Sequence, residues 1–407
     1  MVCGLLGRTL GHSYSPQIHS MLGSYSYQLF EKEPEEVEAF LKNGSFDGLN
    51  VTIPYKQTVI PFLDELSPTA QALGAVNTIV RRNGKLIGHN TDYFGFQELV
   101  RASGLEMAGK KVLVLGTGGA SKPVVAVLRG LGARVVSISR SGEDNYGNLS
   151  RHADASVIVN TTPVGMYPGN GAVPLRLDAF PALEGILDVI FNPARTQLML
   201  EAEKRGLTAL GGLRMLVAQA KDSSEWFTGS SIPENRIDEI FHSLTSQMEN
   251  IVLIGMPGCG KTTIGGLLGN ALGRTVVDAD EKIAALAGKS IPEIFARDGE
   301  EGFRRLESQV LSDLGKQSGL VIATGGGCVT KQKNYPLLHQ NGRIFWLQRA
   351  LDLLPTDGRP LSQRQSPEAM YAVREPLYAA FVDHAIDNNG TPQETVASIL
   401  SILEGNV

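Results

Sequence analysis

Short apolar runs alternate with longer amphipathic stretches along the whole chain, the pattern of an α/β protein. A parallel strand covered on both faces reads as an unbroken run of Val, Ile and Leu, and residues 111–115 and 251–254 have this form. The N-terminal third predicts a strand at 2–6, a helix from Pro16, a strand at 25–30, a helix from Pro34 and a strand at 48–53. Asn83-Gly84 between alternating apolar positions predicts a two-residue hairpin. A long helix should follow Asp92, and runs at 134–139, 156–160 and 185–190 should join 111–115 in one sheet. Helices are expected at roughly 197–205, 214–227 and 233–246. Composition turns polar at 245–250, and the strand at 251–254 opens a second α/β unit that runs to the end. The boundary therefore falls near 246–249, in a linker too short to act as a flexible tether.

A length of 407 residues suits two or three domains. Hydrophobic content of 42% and charged content of 19% are ordinary for a soluble globular protein. The net charge of −5 speaks against a nucleic-acid or membrane surface as partner but leaves small anionic metabolites open. Cys3, Cys259 and Cys328 show neither metal spacing nor an even disulfide framework, which predicts a reducing cytoplasm. The N-terminus has no charged leader before a long apolar run, and no stretch of about 18 apolar residues predicts a membrane span.

Two glycine loops carry the chemistry. Gly116-Thr117-Gly118-Gly119-Ala120 lies between a strand and a helix, where glycines let the backbone approach a pyrophosphate resting on the helix N-terminus. The third fingerprint position is Ser121, so the loop alone could equally be a structural turn. The end of the next strand reads Ser139-Arg140-Ser141, where a cation and hydroxyls favour the 2′-phosphate of NADP over NAD. The second loop, 255–262, satisfies the P-loop pattern: Gly258, Cys259, Gly260 and Thr263 surround the phosphates of ATP, Lys261 reaches the terminal ones and Thr262 ligates Mg²⁺. The Cys259 thiol, inside this loop, is expected to be accessible to alkylation.

Other blocks gain meaning from their order. Ser13-Tyr14-Ser15-Pro16 places hydroxyls before a helix, a capping pattern that also suits a carboxylate. Thr52, Lys56, Asn77, Asp92 and Gln219 follow in short polar blocks. Taken together, these blocks resemble shikimate dehydrogenase over about residues 2–245. The resemblance implies that Ser13 and Ser15 hold the substrate carboxylate, that Thr52, Asn77, Asp92 and Gln219 bind ring hydroxyls, and that Lys56 is catalytic and paired with Asp92. It also implies that the backbone at Val189 and Gly212 lies near the nicotinamide. One departure is Phe191, where the family commonly has a tyrosine that helps bind the carboxylate. Losing a hydrogen bond to a charged group costs about 1.5–3 kcal/mol, so weaker substrate binding with an intact chemical step is expected.

From residue 250 to 404 the blocks Val277-Asp278-Ala279-Asp280, Phe303-Arg304-Arg305-Leu306-Glu307, Gly325-Gly326-Gly327, Arg359-Pro360-Leu361 and Arg374-Glu375-Pro376 resemble shikimate kinase. The resemblance implies that Asp280 acts on the acceptor hydroxyl, that Asp278 helps hold Mg²⁺, and that Arg304 and Arg374 clamp the carboxylate while Gly326 offers backbone to the ring. Phe295 and Phe303 would wall the pocket, and Arg359 would belong to a lid and stabilise the transferring phosphoryl group. The lid between 347 and 374 looks short, and an arginine expected near the adenine around 388–390 is missing.

The expected fold is α/β throughout: a substrate lobe at 1–92 completed by helices at about 212–246, a Rossmann-like NADP-binding lobe at 93–211, and a P-loop kinase domain with a central parallel sheet at 250–407. The implied reactions are NADPH-dependent reduction of 3-dehydroshikimate and ATP-dependent phosphorylation of shikimate. Two other readings stay open here. A broader quinate/shikimate dehydrogenase using NAD is opposed by Arg140; a binding protein without turnover is opposed by the retained Lys56, Asp92, Lys261 and Asp280.

Overall fold

The computed structural model describes residues 1–11, 13–354 and 366–405, and the chain divides into two compact units, Met1–Ser243 and Leu244–Val407. The strands of the first unit are β1 (Val2–Gly7), β2 (Ser26–Glu31), β3 (Gly48–Val51), β4 (Glu65–Leu66), β5 (Thr78–Arg82), β6 (Lys85–His89), β7 (Lys111–Leu115), β8 (Arg134–Ile138), β9 (Val157–Asn160), β10 (Gly185–Asp188) and β11 (Thr208–Leu210). Its helices are α1 (Ser15–Leu22), α2 (Val37–Asn43), α3 (Pro68–Leu73), α4 (Asp92–Ser103), α5 (Ser121–Gly130), α6 (Gln197–Glu203) and α7 (Leu213–Thr228), and α8 (Asn235–Met248) follows.

Among the described residues the unit holds two sheets, ordered β2-β1-β3-β5-β6-β4 and β11-β10-β9-β7-β8. In the first, β1 pairs in parallel with β2 and β3, which needs the helical crossovers α1 and α2. The β5–β6 hairpin turns at Asn83 (φ 51°) and Gly84 (φ 79°), the left-handed pair that matches strand twist. The second sheet is parallel, and β7 shows why its sequence is apolar without alternation. Val112 and Val114 join Phe96, Leu99, Val124 and Leu128 on one face, while Leu113 and Leu115 join Ile158, Leu198 and Ala202 on the other. Helices cover both faces, so every side chain of the strand interior is buried.

The second unit has β12 (Asn250–Ile254), β13 (Val276–Asp278), β14 (Val321–Ala323), β15 (Gly342–Gln348) and β16 (His384–Asp387), all parallel and ordered β13-β14-β12-β15-β16. Its helices are α9 (Lys261–Leu272), α10 (Ala279–Ala287), α11 (Ile291–Gly315), α12 (Asn334–His339), α13 (Pro367–Ala379) and α14 (Pro392–Leu403). The α/β class and the central parallel sheet agree with the sequence reading.

Four local differences have physical causes. Strands read at 48–53 and 185–190 end earlier, at Val51 and Asp188. In the second case the Asp188 carboxylate accepts from Ile190 N at 3.0 Å and turns the chain out of the sheet. The helix expected from Pro34 begins as a 3₁₀ turn, Pro34–Glu36. The polar stretch at 245–250 is no linker: α8 runs to Met248 and β12 starts at Asn250. Polar composition marks an exposed helical turn as readily as a loop. Helix α11 is broken at Gly299 (φ 67°, ψ −176°), and the block at 303–307 follows on the segment beyond that break.

Candidate functional site

In the first unit the site begins where β3 ends. Lys56 sits on the loop after that strand, held by Val76 N donating to its carbonyl at 2.7 Å. Its Nζ lies 2.6 Å from Asp92 Oδ2, with both side chains largely shielded. Asp92 opens α4, directly after Thr91. Thr91 N donates to Asn77 Oδ1 at 2.7 Å, Asn77 Nδ2 donates to Thr91 Oγ1 at 3.0 Å, and Thr91 Oγ1 reaches Gln219 Oε1 at 3.4 Å. Lys56, Asn77, Asp92 and Gln219, spread over more than half of the unit's sequence, thus belong to one polar cluster.

The cluster continues to the two serines. Asn50 Nδ2 donates to Ser223 Oγ at 2.7 Å, Ser223 Oγ donates to Gln219 O at 2.8 Å, and Tyr27 donates to Asn50 Oδ1 at 2.8 Å. Ser15 is a hydrogen-bond partner of Tyr27, and Ser13 Oγ accepts from Ser15 N at 3.2 Å. Thr52 follows β3 immediately, its amide donating to Leu6 O at 2.9 Å. Thr91, Asn50, Ser223 and Tyr27 were not singled out from sequence. Thr91 alone carried a signal, a threonine just before a helix-opening aspartate.

The dinucleotide loop lies between β7 and α5. Gly116 has φ 101°, and Ser121 Oγ donates to Gly118 O at 2.7 Å, closing the turn onto the helix. Ala120, at the N-cap, offers no side-chain cap; Ser121 N is taken by Gly118 O at 3.1 Å and Pro123 has no N–H, so in the first turn of α5 the Lys122 amide is left for an anion. At the end of β8, Ser139 N donates to Asp144 O at 3.1 Å and Gly142 N to Ser139 Oγ at 2.7 Å, a tight loop that leaves Arg140 and Ser141 exposed at its tip. These groups fit NADP: a helix start for a pyrophosphate and an exposed guanidinium for a further phosphate. Val189 and Gly212 meet as backbone on backbone. Gly212 N donates to Ile190 O at 2.8 Å, and a Cβ on Gly212 would lie 2.1 Å from Val189 O, so only glycine allows this approach. Beneath it Asp188 accepts from Asn160 Nδ2, Ile190 N and Thr196 Oγ1, and burial pushes its carboxyl up to about 6.

In the second unit a cavity of about 560 Å³ is lined by Gly258, Gly260, Lys261, Thr262, Thr263, Asp278 and Asp280 and also by Phe295, Phe303, Arg304, Gly326 and Arg374. Lys261 Nζ donates to Gly255 O at 2.9 Å and Met256 O at 3.0 Å, curled into its own loop. Thr262 Oγ1 donates to Asp278 Oδ2 at 2.8 Å, and Asp278 Oδ1 caps α10 by accepting from Asp280 N at 2.9 Å. Two hard oxygen donors beside phosphate-binding amides suit Mg²⁺, which takes few protein ligands and completes its shell with phosphate and water.

Opposite, Arg304 Nη1 donates to both oxygens of Glu307, at 2.9 and 2.8 Å. Burial pushes the Glu307 carboxyl up, against the pull of Arg304. Arg374 Nη1 donates to Gly326 O at 3.0 Å, and Phe295 stacks on Phe303 with centroids 4.7 Å apart.

Arg359 and the rest of residues 355–365 of the expected lid lie outside the described residues. A cation does reach the segment around 388–390: Arg349 Nη1, just past β15, donates to Asn388 O at 3.1 Å. Asn388 Nδ2 in turn donates to Cys259 O, tying that segment to the P-loop. The expected accessibility of Cys259 is wrong. The residue is 0% exposed, its amide bonds Met256 O at 3.2 Å, and Gly258 (φ 87°) and Gly260 (φ 97°) reverse the chain on either side and turn the thiol inward.

With this geometry in place, known proteins supply the context. Residues 5–79 match the model of the shikimate dehydrogenase substrate binding domain. The shikimate dehydrogenase (NADP(+)) of Clostridium perfringens is 34% identical over 263 residues, covering 59% of this chain and 97% of that protein. This chain belongs to the shikimate dehydrogenase family. The dehydrogenase of Symbiobacterium thermophilum is 36% identical over 265 residues, 57% of this chain and 90% of that protein. Shikimate dehydrogenase 1 of Peptoclostridium difficile superposes with a TM-score of 0.56 at 34% identity, covering 60% of this chain and 97% of that one. A chorismate mutase/shikimate 5-dehydrogenase fusion protein from Clostridium acetobutylicum gives 0.57 at 36%, covering 60% and 96%. Residues 257–404 match the shikimate kinase model, so the dehydrogenase is joined to a kinase domain.

Cysteine chemistry tests the P-loop geometry. All three cysteines are buried, and burial pushes the Cys3 and Cys328 thiols up to about 12. The native chain should therefore react with none of its thiols within minutes in a colorimetric disulfide-exchange titration, and with all three in guanidinium chloride. One fast thiol in the native protein, mapped to Cys259, would contradict the inward turn.

Proposed function

We propose that the polar cluster around Lys56 reduces 3-dehydroshikimate and that the cavity around Asp280 phosphorylates the shikimate so formed. The chain is a bifunctional enzyme of the shikimate pathway, an NADP-dependent shikimate dehydrogenase followed by an ATP-dependent shikimate kinase. The observation that carries the residue assignment in the kinase is its cavity, where phosphate-binding and carboxylate-binding groups line the same space.

In the reduction, Ser13 and Ser15 receive the substrate carboxylate, while Thr52, Asn77, Asp92 and Gln219 fix the ring hydroxyls. NADPH, held by residues 116–120 and by Ser139, Arg140 and Ser141, supplies the hydride when bound. Negative charge develops on the ketone oxygen, and the Lys56 ammonium stabilises it and donates the proton. Asp92, at 2.6 Å, holds that ammonium in place. The paired backbones at Val189 and Gly212 wall the nicotinamide side.

In the phosphorylation, the amides of Gly258, Gly260 and Thr263 and the Lys261 ammonium hold the ATP phosphates, with Thr262 and Asp278 on Mg²⁺. Arg304 and Arg374 grip the shikimate carboxylate, for which the planar guanidinium fork is suited. Gly326 offers backbone to the ring, and Asp280 orients the 3-hydroxyl and takes its proton. Arg359 stabilises the transferring group. We assign 1–92 with about 212–246 to the substrate lobe, 93–211 to the NADP lobe and 250–407 to the kinase, acting on small metabolites in the cytoplasm. No described helix is long and apolar enough to cross a membrane.

Lys56→Ala should lower the reduction rate by about 10²–10⁴-fold and leave phosphorylation intact, and Asp280→Asn should do the reverse. Separate steady-state assays with 3-dehydroshikimate plus NADPH and with shikimate plus Mg-ATP read this out. Loss of both activities from either change would defeat the assignment of separate sites. Arg140→Ala should raise KM for NADPH about tenfold or more while KM for 3-dehydroshikimate stays put. Equal use of NADH and NADPH by the unaltered enzyme would remove Arg140 from the cofactor site.

A further inference from the structure

We infer that Tyr14 replaces the tyrosine absent at position 191 and places its phenol on the substrate carboxylate. The inference rests on the dehydrogenase reading of the first unit and adds a residue to its substrate site.

Tyr14 stands between Ser13 and Ser15, the two hydroxyls assigned to that carboxylate, immediately before α1. Its ring meets Phe191 edge to face, with centroids 5.9 Å apart and planes at 77°. Phe191 follows β10 of the other sheet, on the turn fixed by the buried Asp188 carboxyl through Ile190 N and Thr196 Oγ1. The two rings therefore meet from separate elements, beside the two serines.

Three other tyrosines of the substrate lobe spend their hydroxyls on internal bonds. Tyr25 donates to Ser224 Oγ at 2.8 Å, Tyr27 to Asn50 Oδ1 at 2.8 Å and Tyr55 to Lys32 O. Tyr14 is half-buried, and its hydroxyl makes no hydrogen bond among the described residues. An aromatic ring packed at a site edge with its hydroxyl unspent can take a ligand oxygen without first breaking an internal bond. Phe191 then supplies the flat apolar wall that orients the phenol, and the loss expected from the missing tyrosine is offset from across the pocket.

Tyr14→Phe in the full chain is the discriminating variant, because it keeps the ring and its edge contact and removes one oxygen. KM for 3-dehydroshikimate should rise about tenfold, the size of a lost hydrogen bond to a carboxylate, with kcat changing far less. Adding Phe191→Tyr to Tyr14→Phe should bring KM back to near the starting value. An unchanged KM in Tyr14→Phe overturns the role of Tyr14, and so does a double variant as weak as the single one. A wild-type chain that does not reduce 3-dehydroshikimate overturns the dehydrogenase reading itself, and the inference with it.

Discussion

An ammonium held 2.6 Å from a carboxylate, with both side chains largely out of water, is the interaction around which the dehydrogenase unit is organised. Neither group could be left there alone, since an unpaired buried charge is costly. The pair is held at two ends. Lys56 is fixed through its carbonyl by Val76, and Asp92 is fixed by its place at the start of α4, whose preceding Thr91 is gripped by Asn77. The same contacts that place the charge pair also fix the side-chain amides of Asn77 and Gln219. On the proposed assignment, stability of the cluster and recognition of the substrate rest on one set of hydrogen bonds.

All three sheets offer their functional groups beyond the carboxyl ends of their strands. Thr52 and Lys56 follow β3, the dinucleotide loop follows β7, Val189 follows β10, and the P-loop, Asp280 and Gly325 follow β12, β13 and β14. This is the edge where parallel sheets open a crevice and where helix N-termini point their amides. The antiparallel β5 and β6 depart from that rule: their hairpin returns the chain so that Asn77 and Thr91 face each other across the start of β5 and the end of β6.

Legibility from sequence followed locality. The loop at 255–262 could be read because its spacing and its neighbouring strand are contiguous, and β7 because burial on both faces leaves an unbroken apolar run. Lys56 and Asp92 had no individual signal and became readable only with the other blocks in order. Thr91, Asn50 and Ser223 were missed because each looks like an ordinary cap, strand or helix residue until distant segments meet. The orientation of Cys259 was misread because residue identity does not say whether a loop position faces in or out; two left-handed glycines beside it decide that. The end of α8 was misread because exposed helical turns and linkers share a polar composition.

That last feature bears on how the two activities are supplied. Backbone hydrogen bonding continues through the join, with Glu249 N donating to Thr245 O at 2.9 Å and β12 beginning one residue later. A hydrogen-bonded turn offers proteases far less purchase than an extended connector. Each round of translation therefore delivers one reductase and one kinase in fixed stoichiometry. Matching the supply of shikimate to its consumption then falls to the turnover numbers of the two halves, since their copy numbers cannot drift apart.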